Sequence, residues 1–372
     1  MNNIQKLAQL GQSIWYDNIS RHLITSGELK RMVDEGLRGV TSNPTIFDKA
    51  ISGSTDYDDQ LKDLILSDPE IDAAGIIQAL MVRDIQMACD VFRPVYEQTK
   101  GLDGYVSVEV TPTKAKDTAA TIEEVRELWK KIERPNLMVK IPATKEGLPA
   151  IRQMTAEGCN INITLIFAED RYREVAEAYI SGLEQRAREG KSLNVVSVAS
   201  VFVSRIDGLV DDLLDKKGGT KALELKGKAA VANTKLIYQA YKEIFQSPRF
   251  AALAKQGARV QRPLWGSTST KNPSYPDLLY VEPLVGSDTV NTVPPQTYSA
   301  ILDHGNPRIM VESNIEESRE VLEKLAGEGI SMTQVLQKLE TDGVTAFEKS
   351  FNGLYENLNR KKGEVVHEAQ PS

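Results

Sequence analysis

The chain has 372 residues, of which 45 are basic and 52 acidic, so its formal net charge is −7. Apolar residues make up 41% of it, which is enough for one large core, and α/β barrels of this length form single domains. The mild acidity argues against a general nucleic-acid or membrane surface, and no apolar run reaches the roughly 20 residues that a spanning helix needs. We therefore expect no nucleic-acid or membrane partner. If the substrate is anionic, local cations must hold it.

Cysteine and histidine usage narrows the remaining classes. The two cysteines, Cys89 and Cys159, form no CxxC motif, and the first residues lack the pattern of a signal peptide. These features predict a reducing, cytoplasmic location. His22, His304 and His367 are scattered along the chain, so we expect no metal site and no cofactor.

Short apolar, β-branched runs alternate with charged helical patterns along the chain. We predict strands at 13–16, 39–42, 105–110, 137–141, 160–166, 195–203, 259–265 and 279–284. Helical patterns lie at 25–37, 73–99, 122–133, 145–157, 169–188, 313–326 and 332–358. Eight such strands favour an α/β fold, a single (β/α)8 TIM-type barrel with additional helices. An open doubly wound sheet is the alternative, but the chain has no GxGxxG or Walker motif.

No linker or internal repeat divides the chain. We therefore predict one barrel catalytic domain over residues 1–359. Residues 360–372 are mostly polar and end in Gln-Pro-Ser, which predicts a disordered C-terminal tail.

The alternation of side chains along each predicted strand separates the barrel interior from the helix layer. Valines and isoleucines take the outward positions, whereas polar groups take the inward ones. Buried polar and charged groups are costly unless they are paired or have a function, so this set indicates an active site. Its inward members are Thr41, Asn43, Ser107, Glu109, Met138, Lys140, Asn160, Asn162, Thr164, Ser200 and Phe202, and Asp17 ends the first strand.

An inward lysine among apolar neighbours suits imine chemistry, because desolvation favours the neutral, nucleophilic amine. Lys140 is the inward lysine of the predicted strands. Asp17 is a candidate base for the hydroxyl at a cleaved C–C bond, and Glu109, with a water held by Thr164, for the proton transfers of imine formation. Asn43 and Asn162 offer neutral hydrogen bonds to sugar hydroxyls.

An anion site is predicted from the later strand ends. Arg205 follows the sixth predicted strand, and a loop rich in Ser and Thr with Lys271 follows the seventh. Barrels often bind phosphate at the loops after their last strands.

Together these motifs resemble the transaldolase family, whose members are permuted class I aldolase barrels. The resemblance runs from about Asp17 to Lys271, and the chain is similar to a longer bacterial branch. The matching stretches are Thr-Ser-Asn43-Pro, Val-Ser-Val-Glu109-Val, Met-Val-Lys140-Ile-Pro-Ala-Thr, Asn-Ile-Asn162-Ile-Thr164, Ser200-Val-Phe202-Val-Ser-Arg205 and Ser-Thr-Lys271-Asn.

The resemblance implies a role for each residue. Lys140 would form the Schiff base, Asp17 would act as acid and base at the cleaved bond, and Glu109 and Thr164 would shuttle protons through a water. The other residues would bind substrate: Asn43, Asn162 and Ser200 at the dihydroxyacetone unit, Phe202 at a part of the substrate that is not assigned, and Arg205, Ser269 and Lys271 at the phosphate. Many relatives carry Arg at the Lys271 position. The loop is also one residue longer here, so Ser267 could replace Ser269.

The implied reaction moves a dihydroxyacetone unit from fructose 6-phosphate or sedoheptulose 7-phosphate to erythrose 4-phosphate or glyceraldehyde 3-phosphate. The partners would be these small sugar phosphates, bound by a monomer or a homodimer. Fructose-6-phosphate aldolase is the nearest alternative, but its members tend to carry Gln at the Glu109 position and Tyr at the Phe202 position. A barrel that only binds sugar phosphates is a further alternative, and it would not need Lys140 and Glu109.

Overall fold

The computed structural model describes residues 1–369, with side chains through residue 363. Eight parallel strands pair in chain order, and the last pairs with the first to close a barrel. The predicted (β/α)8 fold is therefore confirmed. The strands are β1 (Gln12–Tyr16), β2 (Gly39–Thr41), β3 (Tyr105–Glu109), β4 (Leu137–Pro142), β5 (Ile161–Ile166), β6 (Ser197–Phe202), β7 (Arg262–Gly266) and β8 (Thr289–Val293).

Helices surround this barrel and also cover its ends. The described helices are α1 (Asn3–Gln9), α2 (Arg21–Thr25), α3 (Glu28–Asp34), α4 (Pro44–Ser52), α5 (Asp58–Ser67), α6 (Ala73–Gln98), α7 (Thr118–Ile132), α8 (Gly147–Glu157), α9 (Glu169–Arg188), α10 (Ser204–Lys217), α11 (Thr220–Leu223), α12 (Ala229–Phe245), α13 (Pro248–Ala254), α14 (Pro295–His304), α15 (Ile315–Gly327) and α16 (Met332–Ala369). None of them is long and apolar enough to cross a membrane.

The predicted eighth strand, at 279–284, is wrong. This apolar run forms turns and a short 3-10 helix, Glu282–Leu284, and the eighth strand is Thr289–Val293. Pro283 lies in the 3-10 helix, and a proline cannot donate to the hydrogen-bond ladder of a central strand. β8 itself is rich in polar residues: Thr292 forms a hydrogen bond with Thr41 at the end of β2, and Asn291 forms one with Thr268 in the loop after β7.

The predicted tail at 360–372 overlaps the end of the last helix. Helix α16 continues to Ala369, so ten residues of that segment are helical. Lys361 forms an ion pair with Asp58 at 3.0 Å, and the Lys362 ammonium donates to the carbonyl of Ile71. These contacts stabilise the helix beyond the predicted boundary, and residues 370–372 lie outside the described part of the chain.

Packing confirms which side chains face the barrel interior. Val106, Val108 and Val139 belong to the large core between strands and helices. Met138 instead belongs to a small separate cluster inside the barrel, together with Trp15, Tyr105 and Leu264 from other strands. Because these apolar groups fill the lower interior, the polar side chains of the same inward parity are left at the C-terminal ends of the strands.

Candidate active site

One row of inward side chains crosses three neighbouring strands. The registers pair Glu109 on β3 with Lys140 on β4, and Lys140 with Asn162 on β5. Lys140 is only 5% exposed. Its Nζ donates to the backbone carbonyl of Ser42 at 2.8 Å and to Glu109 Oε2 at 3.3 Å. The lysine is thus buried but has an acidic partner within reach of proton exchange.

The Glu109 carboxyl group connects Lys140 to Thr164. Thr164 Oγ1 donates to Glu109 Oε1 at 3.3 Å, so each carboxyl oxygen has one partner. Burial raises the pKa of Glu109, although the charge of Lys140 and the two hydrogen bonds oppose this rise. A carboxyl group with a raised pKa can hold a proton and can also accept one, which suits general acid–base catalysis.

A second carboxyl group, that of Asp17, stands at the end of β1. Its Oδ1 accepts a 2.7 Å hydrogen bond from Thr41 Oγ1, which also lies 2.6 Å from Thr292 Oγ1. Burial raises the pKa of Asp17, while the Lys140 charge and the Thr41 hydrogen bond hold it down. The charge of Lys140 therefore lowers the pKa of Asp17 as well as that of Glu109.

The amide side chains differ in how they are held. Asn43 forms the N-cap of α4, and its Oδ1 accepts from the backbone N–H of Ile46 at 3.0 Å, which fixes the side chain at the cavity wall. Asn162 is fully buried: its Nδ2 donates to Ser107 Oγ at 3.1 Å, and its Oδ1 accepts from Ser200 Oγ at 2.6 Å. Ser200 lines the cavity and Asn162 supports it from behind, so a direct contact of Asn162 with substrate stays a prediction.

A cationic end of the site begins with Arg205 on α10. Its guanidinium carbon lies 5.2 Å from the ring centre of Phe202 and 5.9 Å from that of Phe347. Desolvation lowers the pKa of Arg205, and none of the ion pairs and hydrogen bonds among the described residues involves its guanidinium. A desolvated cation without a counter-ion is suited to receive an anion.

The loop after β7 brings the second cation, Lys271, to the same end. Partial desolvation and then the charge of Arg205 lower the pKa of Lys271, which indicates that the two cations share one region. Ser267 adopts a left-handed backbone conformation with φ 53°, and its Oγ lies 3.0 Å from Ser204 Oγ. Ser267 and Ser269 both line the cavity, so both are candidates for the serine that binds phosphate.

These side chains meet in one cavity of about 150 Å³ at the C-terminal mouth of the barrel. Glu109 and Asn162 do not line this cavity themselves. Glu109 contacts Lys140 and Thr164, and Asn162 contacts Ser200, and these three residues do line it. The alternation of strand side chains did not assign roles to Thr41 or Thr292, and Phe347 gave no signal because its helical pattern indicates only a core position. The lining residues among those predicted are Asp17, Asn43, Lys140, Thr164, Ser200, Phe202, Arg205, Ser267, Ser269 and Lys271.

A polar cavity at the carboxyl ends of eight parallel strands is where (β/α)8-barrel enzymes carry their active sites. Residues 14–358 match the sequence model of the family described as transaldolase/fructose-6-phosphate aldolase. The chain therefore belongs to this family, and the predicted resemblance is confirmed.

Several relatives that align with nearly the whole chain are named transaldolase, which is one of the two activities in the family description. A protein of Trichodesmium erythraeum named transaldolase is 48% identical, over 97% of this chain and 97% of its own length. Proteins with the same name from Saccharopolyspora erythraea and Acidothermus cellulolyticus are 47% and 49% identical. The alignment covers 97% of this chain and 98% of the Saccharopolyspora protein, and 96% of this chain and 96% of the Acidothermus protein.

Proposed function

We propose that this protein is a transaldolase, a transferase that moves a dihydroxyacetone unit between sugar phosphates through a Schiff base on Lys140. The observation that carries the proposal is the position of Lys140 Nζ, buried and 3.3 Å from Glu109 Oε2, in a site that Asp17 also lines. One nucleophile and two separate carboxyl groups match the needs of imine formation and of carbon–carbon cleavage. The names of the relatives support the same activity.

Imine formation would use the Glu109 side of the site. The Lys140 ammonium first gives a proton to the Glu109 carboxylate, and the free amine adds to the C2 carbonyl of the ketose to form a carbinolamine. Glu109 then protonates the departing hydroxyl group, directly or through a water held by Thr164, and one water leaves. The 3.3 Å contacts of Glu109 with Lys140 and with Thr164 support this proton path.

Cleavage would use Asp17. Its carboxylate accepts the proton of the C4 hydroxyl group, the C3–C4 bond breaks, and the electron pair moves into the protonated imine to give an enamine on Lys140. Glyceraldehyde 3-phosphate leaves as the first product. The enamine then attacks the aldehyde carbon of the acceptor, and the same groups act in reverse to release the new ketose phosphate.

The substrate would lie with its phosphate toward Arg205 and Lys271. Both cations line the same cavity as Lys140, at the end closed by the β7–β8 loop. Asn43 and Ser200 line the same cavity, where they would donate to the hydroxyl groups of the dihydroxyacetone unit, with Asn162 behind Ser200. Ser267 or Ser269 would add a hydroxyl donor to the phosphate.

We also propose that the enzyme acts in the cytoplasm on free sugar phosphates, as a monomer or a homodimer. Its two thiols, Cys89 and Cys159, are buried and unpaired, which fits a reducing compartment. Burial raises the pKa of both thiols, so neither is a reactive nucleophile at neutral pH.

A product assay separates the proposal from its alternatives. Fructose 6-phosphate is supplied with and without erythrose 4-phosphate, and sedoheptulose 7-phosphate, glyceraldehyde 3-phosphate and free dihydroxyacetone are quantified. A transaldolase turns over only with the acceptor and otherwise yields about one glyceraldehyde 3-phosphate per site. Continuous release of dihydroxyacetone without acceptor would identify a fructose-6-phosphate aldolase. Binding without any product would identify a non-catalytic barrel.

A further inference from the structure

We infer that the C-terminal helix α16 completes the anion subsite, with Phe347 as the residue that positions Arg205. Phe347 is thereby a determinant of selectivity for phosphorylated substrates. This inference rests on the proposed function for the identity of the substrate, but the positioning of Arg205 can be tested without turnover.

The Arg205 guanidinium lies in a corner formed by two aromatic rings. Its carbon is 5.2 Å from the ring centre of Phe202 and 5.9 Å from that of Phe347, and the two rings are 6.4 Å apart at 67°. Phe202 comes from the barrel, whereas Phe347 comes from α16, about 145 residues later in the chain. Phe347 also lines the substrate cavity.

Position 343, one helical turn before Phe347, brings the same face of α16 close to Arg205. Residues four apart lie on one side of a helix, and here the nearer one is a glycine, Gly343. A Cβ on Gly343 would lie 2.9 Å from Leu165 Cδ2 and 3.7 Å from Arg205 Nη1. The absence of a side chain therefore allows α16 to approach both residues.

The strand beneath this contact is shaped to meet the helix. Leu165 directly follows Thr164 and has a φ of 61°, a left-handed value that is unfavourable for leucine. The β5–β6 register shifts between Ile163 and Ile166, so Leu165 sits in a local irregularity of the strand. The strand thus turns its side chain toward α16 immediately beside Thr164.

Further along, α16 is fastened to the segment after β2. Ser350 Oγ accepts a 2.8 Å hydrogen bond from Thr45 Oγ1, and Asn357 Nδ2 donates to Asp48 Oδ1 at 3.1 Å. Asn43 caps the N-terminus of the helix that contains Thr45 and Asp48. The position of Phe347 is therefore fixed from both sides of the cavity mouth.

An arginine recognises phosphate through a planar edge of N–H groups, so its orientation decides how well it binds. Arg205 has no carboxylate to orient it among the described residues, and the aromatic corner supplies this restraint instead. A cation–π contact of this kind changes an affinity by about two- to thirtyfold. Loss of the Phe347 ring should weaken phosphate recognition by a factor in this range.

The test compares Phe347→Ala, Phe347→Leu and Phe347→Tyr with Tyr355→Ala. Tyr355 lies two turns further along α16, where it packs against the core and does not line the substrate cavity, so its truncation is a matched control. Calorimetric titration with inorganic phosphate, and kcat/KM for fructose 6-phosphate and for fructose, are measured for each variant. Phe347→Ala is also made in the Arg205→Ala background.

We expect Phe347→Ala and Phe347→Leu to lose about two- to thirtyfold in phosphate affinity and in kcat/KM for fructose 6-phosphate, with fructose nearly unchanged. Phe347→Tyr and Tyr355→Ala should resemble the wild type, and Phe347→Ala should add no loss once Arg205 is absent. A full further loss in the Arg205→Ala background, or equal losses on both sugars, would overturn the inference. If Phe347→Ala does not fold, Phe347→Leu decides, because it keeps the apolar volume. If the wild type shows no transfer, the proposed function fails, and the phosphate titration still decides the role of Phe347.

Discussion

Lys140 and Glu109 are register partners on β4 and β3, and their charged atoms lie 3.3 Å apart at the C-terminal end of the barrel. Both side chains are nearly inaccessible to solvent. A buried pair of this kind exchanges protons readily, because neither partner is stabilised by water. This relationship makes a nucleophilic amine and a proton donor available at one point of the site.

Asp17 and Glu109 should serve different steps. If Asp17 accepts the proton of the C4 hydroxyl group, Asp17→Ala should still form the imine but lose turnover by about 10² or more. The measurement is transfer rate together with borohydride trapping by fructose 6-phosphate. Asp34→Asn, on an exposed part of α3, is a control for the loss of a carboxylate. Near-normal turnover of Asp17→Ala would assign the cleavage step to another group.

The hydrogen bond from Thr41 should set the pH dependence of Asp17. Burial raises the pKa of Asp17 and this hydrogen bond lowers it, so Thr41→Val should raise it further. Asp17 must be ionised to act as a base, and the acid limb of kcat/KM should therefore move to higher pH in the variant. Thr292→Val removes the other partner of Thr41 and leaves the contact between Thr41 and Asp17 intact. The acid limb of kcat/KM should therefore move less in Thr292→Val than in Thr41→Val. An unchanged limb in Thr41→Val would show that another group governs it.

Arg205 and Lys271 should act on the phosphate and not on the reacting carbons. Charge-assisted hydrogen bonds are worth about 1.5–3 kcal/mol, so Arg205→Ala and Lys271→Ala should each lose roughly ten- to hundredfold in kcat/KM for fructose 6-phosphate. Fructose should be affected far less. Lys255→Ala, at the exposed end of α13, should change neither substrate. Equal losses on both sugars would argue for a general defect in folding.

A buried carboxyl group away from the substrate should reduce stability at neutral pH. Asp207 on α10 accepts hydrogen bonds from the backbone N–H of Ala230 at 2.7 Å and from Tyr280 at 2.9 Å. Burial raises its pKa from 3.8 to about 6, so the folded state binds its proton more tightly than the unfolded state. The wild type should therefore lose up to about 3 kcal/mol as pH rises from below 4 to above 6.

Asp207→Asn should lack this part of the pH dependence. Its free energy of unfolding, measured with urea at pH 5 and pH 8, should fall less between the two values than that of the wild type. Asp212→Asn lies on the exposed side of the same helix and is the matched control. An identical pH dependence in Asp207→Asn and wild type would contradict the raised pKa.

Strand periodicity predicted most of the site, because successive side chains of a strand point alternately into the barrel and toward the helices. It placed Glu109, Lys140 and Thr164 inside, where the structure brings them into contact. It failed at β8, where Asn291 and two threonines replace an apolar run and a nearby apolar segment with Pro283 looked more like a strand. The error left out Thr292, which faces Thr41 beside Asp17.

The sequence could not indicate contacts made across large separations in the chain. Phe347 reaches Arg205 only because α16 crosses the mouth of the barrel, and nothing in its helical pattern distinguishes it from an ordinary core residue. The Asp207–Tyr280 hydrogen bond likewise joins a helix to a loop more than seventy residues away. Such contacts depend on how the elements pack and not on local periodicity.

The most direct test of the account is to locate the covalent intermediate. The protein is incubated with fructose 6-phosphate and borohydride, digested, and analysed by mass spectrometry for the reduced adduct. We predict one stable adduct, on Lys140, with none in Lys140→Met and wild-type labelling in the control Lys271→Met when fructose 6-phosphate is saturating. Full labelling of Lys140→Met, or an adduct on another lysine of the wild type, would contradict the assignment of Lys140 as the nucleophile.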